Sequence, residues 1–345
     1  MRVIFSRGGA FALTALLSAA LGACSNQGVT LPRHPTPAPV ALEYTAIGAS
    51  DAVGFGASIP CTTATPAAGP ADPGCLNLTG TGYVPDLAKT FIKNGTSVTL
   101  DDLGFSGAVL GPDILAESNM FGPIGSPDQC TPRGASDAYP TDFITDEVPQ
   151  IPANTTFVTI FAGGNDTNGL VNALGCGAGG TTAQSQAAFI ATWVTNFGND
   201  LTTLIGDIRA VAPSAGIVIA NLPNFSQIPV GLAVAGQDPA AGQALAAFST
   251  AFDLNVIDPL ATASPAIPVV DLLCNSSSYN PANFYTDGFH PNDAGYALLA
   301  AQFYAQSIAA SPALPSTTCS EATTTSVLRQ VLTHPIKDFA RGTRR

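Results

Sequence analysis

The sequence predicts an α/β fold: a five-stranded parallel sheet with helices on both faces, a three-layer α/β/α sandwich. Two observations carry this. Five short apolar, β-rich runs, at Leu42–Ile47, Ser97–Leu100, Phe157–Phe161, Gly216–Ala220 and Ile267–Leu272, each end where something polar or glycine-rich begins. Helix-compatible stretches (Pro85–Lys93, Thr182–Val211, Ala240–Asp253) lie between them, and another, Asp293–Ala309, follows the fifth. Near-continuous apolar strands alternating with helices imply a parallel sheet buried on both faces. In such sheets ligand groups gather on the loops at the carboxyl ends of the strands.

The ends of the chain speak to compartment. Arg2 and Arg7 give a positive start, and Ala10–Leu21 is an apolar run too short to span a bilayer. Residues 1–23 therefore read as a signal peptide. Leu21-Gly22-Ala23-Cys24 resembles a bacterial lipobox, which implies lipidation of Cys24 and export to the outer face of a bacterial membrane; the alternative is an ordinary signal peptide cut nearby, with Cys24 a free thiol and the chain in the periplasm or outside the cell. Residues 24–41 form a linker with Pro32, Pro35, Pro37 and Pro39, a semi-rigid spacer. Residues 42–312 suit one domain, expected to be a monomer. Residues 313–345 form a polar, then basic tail (Arg329, Lys337, Arg341, Arg344, Arg345), read as a disordered end or a membrane contact.

Beyond Cys24 there are six cysteines: Cys61, Cys75, Cys130, Cys176, Cys274 and Cys319. An even number in an exported chain, with no CxxC pair, argues for disulfides rather than a metal site. Six cysteines allow fifteen connectivities. Sequential pairing is the expectation, because Cys61 and Cys75 bracket one Pro/Gly-rich loop. Between 35 and 320 only four basic residues (Lys89, Lys93, Arg133, Arg209) stand against 22 acidic ones. Such a surface repels nucleic acid.

Four loops follow strands and carry chemistry. They are Gly48-Ala49-Ser50-Asp51, Phe105-Ser106-Gly107, Gly163-Gly164-Asn165-Asp166 and Asp287-Gly288-Phe289-His290-Pro291. Together they offer a hydroxyl, an amide and an Asp/His pair, the inventory for acyl transfer without a cofactor. The chain has three histidines, and His34 and His334 lie in the linker and the tail. A histidine base must then be His290. Asp287, three residues earlier, can fix its tautomer and leave Nε2 free to accept a proton.

In order and position these loops resemble the conserved blocks of the SGNH/GDSL hydrolase family, over roughly residues 42 to 312. The resemblance implies a flavodoxin-like fold and a serine esterase with Ser50 as nucleophile and Asp287 and His290 completing the triad. It also implies an oxyanion hole from Ser50, Gly107 and Asn165. The family's first block usually reads Gly-Asp-Ser-Leu; here Ala49 and Asp51 replace its Asp and Leu, and Asp51 is expected to cap a helix after the turn. The Gly-x-Ser-x-Gly elbow of α/β-hydrolases is missing, since Ala52 holds the second glycine's place. Ser58 and Ser106, the competing serines, read as structural, as does Asp166. Gly111–Asn154 and the region after Asn165 are expected to rim the cleft, joined by Cys130–Cys176. Phe105, Phe121 and Phe289 suit an acyl group or packing, while Trp193, at helical spacing with Phe189 and Phe197, reads as core. The expected partner is a small ester, acyl or O-acetyl. Two other readings remain: a catalytically weak or inactive surface binding protein on the same fold, and an acyltransferase using the same triad.

Overall fold

A computed structural model describes residues 41–61, 78–122, 128, 130–135, 138–237 and 239–322. The signal peptide, Cys24, almost all of the proline linker, Cys75 and the basic tail from 323 lie outside the described residues. The strands are β1 (Ala41–Gly48), β2 (Ser97–Asp102), β3 (Phe157–Phe161), β4 (Gly216–Ala220) and β5 (Val269–Val270). They form one sheet in the order β2-β1-β3-β4-β5, and every neighbouring pair is parallel. The helices are α1 (Tyr83–Lys93), α2 (Pro112–Ser118), α3 (Gly164–Gly175), α4 (Ala183–Val211), α5 (Pro229–Gln237), α6 (Pro239–Phe252) and α7 (Asp293–Ile308).

Alternation along the strands sorts side chains into two cores. Tyr44 and Ala46 of β1 pack with Tyr83 and Leu87 of α1 and with Tyr296 and Phe303 of α7. Ile47, Val158 and Ile160 point the other way, against α3, α4 and α6. On α4, Trp193, Phe197, Leu201, Leu204 and Ile208 are buried at intervals of three to four residues, the apolar stripe of a core-facing helix. Thr182 caps that helix by accepting the Ser185 N–H at 3.1 Å.

Three expectations needed correction. The fifth strand is shorter than Ile267–Leu272, because Pro268 offers β4 a carbonyl (from Ile219 N, 3.1 Å) but no N–H. Among the described residues no helix begins directly after the Ser50 turn, so Asp51 caps none; residues 51–56 are successive turns. Residues 313–322 belong with the domain: Cys319 is bridged to Cys274, and Ser316 N–H donates to Asp271 at 2.8 Å. Cys130 pairs with Cys176, and Cys61 is disulfide-bonded as well.

Buried carboxyls hold the loops at the carboxyl end of the sheet. Glu147 accepts the Gly48 N–H at 3.1 Å, and Asp102 accepts that of Gly104 at 3.0 Å. Asp166 accepts Leu110 N–H at 3.1 Å, and Asp253 accepts Leu222 N–H at 2.8 Å. Burial raises Asp102 to about 8 and Asp166 to about 7. It likewise raises Asp258, beside Asn221, to about 6, and lifts Glu147 and Asp253 well above the carboxylate range.

These groups keep protons in the folded state that the unfolded chain has already lost. The native state thus binds more protons between about pH 4 and 8, and stability must fall as pH rises through that window. We predict a higher Tm at pH 5 than at pH 8 in thermal melts; equal or reversed values would contradict the burial argument. Glu147→Ala, which orphans the Gly48 N–H, should cost about 1–3 kcal/mol in urea denaturation. Glu147→Gln, which keeps an acceptor oxygen there, should cost much less.

Candidate active site

Ser50 sits on the turn that ends β1. Phe55 N–H closes this turn onto the Ser50 carbonyl at 2.8 Å, and Ala52 N–H onto Ala49 O at 3.0 Å. Gly48 enters it with its N–H on Glu147 and its carbonyl accepting from Phe105 N–H at 2.9 Å. The backbone leading to the hydroxyl is therefore fixed from both sides, and Ser50 is 7% exposed at the floor of a cleft.

The Asp287/His290 loop follows β5 and folds on itself. Tyr285 N–H donates to His290 O at 2.8 Å, and Gly288 N–H to Tyr285 O at 2.9 Å. Gly288 has φ +69°, and a Cβ there would lie 3.0 Å from Val230 N, so glycine is required. One oxygen of Asp287 accepts the N–H groups of Phe289 and His290, at 2.9 and 3.0 Å. The other lies 2.7 Å from His290 Nδ1, and His290 Nε2 is 2.9 Å from Ser50 Oγ. Partial burial pushes the Asp287 carboxyl up, but these hydrogen bonds outweigh it and hold the group below the usual range. It therefore stays ionised next to the imidazole. Phe55 lies against the His290 ring, with centroids 4.5 Å apart, and Phe289 meets it edge-on at 4.9 Å.

Gly107 and Asn165 come together through Ala108. Asn165 Nδ2 donates to Ala108 O at 2.8 Å, and a primary amide has a second N–H to give. Gly107 has φ +88°, and a Cβ there would lie 3.1 Å from Pro140 Cδ. Asp166, next to Asn165, secures the same loop through Leu110. Ser50 and Asn165 line one cleft with Phe289, Leu222 and Leu298, and Asp51 forms part of its wall. Burial raises the Asp51 carboxyl, with the His290 charge lowering it and that of Asp287 raising it.

Other expected residues fall elsewhere. Ser58 Oγ donates to Asp293 at 2.6 Å and its N–H to the same carboxylate at 2.7 Å, tying the loop after Ser50 to the start of α7. Ser106 is exposed beside Phe55 and Tyr285. Phe289 lines the cleft, whereas Phe105 and Phe121 pack against the core. Trp193 is buried, with the Phe189 ring 5.8 Å away. Among the described residues, none of 111–154 lines the cleft; that segment reaches the site through Pro140, packed on Gly107. Sequence reasoning missed Glu147, whose link to Gly48 spans 99 positions and leaves no local signature.

The model of the GDSL-like lipase/acylhydrolase family matches residues 54–298. That stretch contains Gly107, Asn165, Asp287 and His290 and begins just past Ser50. Comparison with curated sequences gave no match. Among solved structures, a lipase from a goat rumen metagenome is 18% identical, with TM-score 0.44, covering 76% of this chain and 95% of its own. A phospholipase A1 from Streptomyces albidoflavus is 19% identical, with TM-score 0.44, covering 74% and 95%. An acetylxylan esterase from Geobacillus stearothermophilus is 16% identical, with TM-score 0.38, covering 78% and 94%. These values are too low for any of the three to speak for a substrate. No helix among the described residues is long and apolar enough to cross a membrane. On the extent of the family match, the chain belongs to the GDSL-like lipase/acylhydrolase family of ester-hydrolysing serine hydrolases.

Proposed function

We propose that this chain cleaves carboxylic esters through an acyl-enzyme on Ser50. The observation that carries the reading is the unbroken line Ser50 Oγ–His290–Asp287, with contacts of 2.9 and 2.7 Å. Ser50 Oγ attacks the ester carbonyl as His290 Nε2 takes its proton, and Asp287 stabilises the imidazolium that results. The N–H groups of Ser50 and Gly107 and the second N–H of Asn165 receive the oxyanion. His290 then protonates the leaving alcohol. A water, deprotonated by the same imidazole, hydrolyses the acyl-Ser50 ester and frees the acid. The intact contacts favour turnover over a role in binding alone, despite Ala49 and Asp51.

The cellular setting is part of the same proposal. The enzyme is exported and held at the outer face of a bacterial membrane by lipid on Cys24, and works as a monomer. Its disulfides favour an oxidising compartment.

With a short-chain nitrophenyl ester, Ser50→Ala and His290→Ala should each lower kcat by several orders of magnitude, and the double mutant should be scarcely worse than either single one. Asn165→Ala should lower kcat about 100-fold or more with little change in KM, the loss of one oxyanion donor. Near-wild-type rates in Ser50→Ala or His290→Ala would overturn the assignment.

A further inference from the structure

The cleft beside Ser50 extends well past the reacting atoms. It runs from Ser50 and Asn165, past Phe289 and Leu222, and along α7 to Ser277 and Gln302. Gly295, Leu298, Leu299 and Gln302 of α7 all line it, the i, i+3, i+4, i+7 spacing of a single helical face, and Pro291 lines it just before the helix begins. From Gly295 to Gln302 the helix rises roughly 10 Å. The middle is aliphatic and aromatic. The far end closes on a polar group: Gln302 Nε2 donates to Ser277 Oγ at 3.4 Å, and Asn283 Nδ2 donates to Ser277 O at 2.9 Å. Gln302 Oε1 is buried without a hydrogen-bond partner.

Direction follows from the chemistry. The leaving alcohol must take its proton from His290, so it departs on the imidazole side, where Phe55 and Tyr285 are 44% and 43% exposed with ring centroids 6.2 Å apart. The acyl group then trails past Asn165 into the long cleft. An O-acetyl group would fill only its mouth, and a sugar would find almost no hydrogen-bonding partners along the middle. A long fatty chain would meet the Gln302 and Ser277 side chains, which are bonded to each other and close the far end of the cleft.

We infer that this cleft is a chain-length ruler for linear, medium-length acyl groups, which lie along the Gly295–Gln302 face of α7 with Gln302 and Ser277 as the stop. Specificity thus resides in α7, outside the family's sequence blocks. The inference rests on Ser50 being the nucleophile, and the test separates the two. With nitrophenyl esters of increasing length, kcat/KM should peak near octanoate, at least tenfold above both acetate and palmitate. Leu298→Trp, which fills the middle of the cleft from its exposed side, should lower the octanoate-to-acetate ratio at least tenfold. Gln302→Trp, which fills the far end, should move the optimum to a shorter chain. A peak at acetate, or ratios unchanged in both variants, would overturn the ruler while leaving Ser50 hydrolysis standing. Absence of turnover on every ester would overturn the nucleophile assignment and the ruler with it.

Discussion

Buried carboxyls bonded to backbone N–H groups at the carboxyl end of the sheet are the constraint on which this molecule depends. Glu147 takes the donor of Gly48 at the end of β1, and Asp102 and Asp253 take those of Gly104 and Leu222 on the loops after β2 and β4. The half-buried Asp271 likewise accepts the Cys274 N–H after β5, at 2.9 Å. The composition explains why backbone donors fill this role. Four basic residues cannot pair with 22 acidic ones between 35 and 320, so carboxyls that enter the interior must find neutral donors or keep their protons.

The site inherits its rigidity from that arrangement. A nucleophile is useful only if its oxygen is held where the base can reach it. Glu147 and Phe105 fix Gly48, and the turn through Ser50 then has little freedom left. The first block lacks the family's usual Asp at Ala49, yet a carboxyl still reaches this turn, from Glu147. Asp287 applies the same device on a smaller scale. One of its oxygens shapes the loop through Phe289 and His290 N–H, and the other orients the imidazole. Asp287 and His290 can therefore meet across three residues of chain separation without a second loop to align them.

Much of this was legible in the sequence, for physical reasons that differ by element. The strands and α4 announce themselves through apolar runs and helical spacing. His290 follows from elimination, and Asp287 from proximity on a short loop. The helix α3 was invisible because Gly164, Gly169, Gly175 and the Asn and Asp residues among them are poor helix formers; its packing in the larger core outweighs them. Strand β5 reads longer than it is, since apolar composition does not register the missing donor of Pro268. Asp51 looks like a cap only if a helix follows it, and local propensity does not reveal that the chain turns instead. Glu147 and the cleft along α7 arise from residues far apart in the chain, and no local pattern encodes them.

The central claim is that Ser50 is the reacting group of this fold. It is tested most directly by treating the wild-type protein with a small fluorophosphonate and locating the adduct by peptide mass mapping. A single adduct on the peptide bearing Ser50 is the predicted result. Modification of Ser58 or Ser106 instead, or no adduct on the folded protein, would contradict the account.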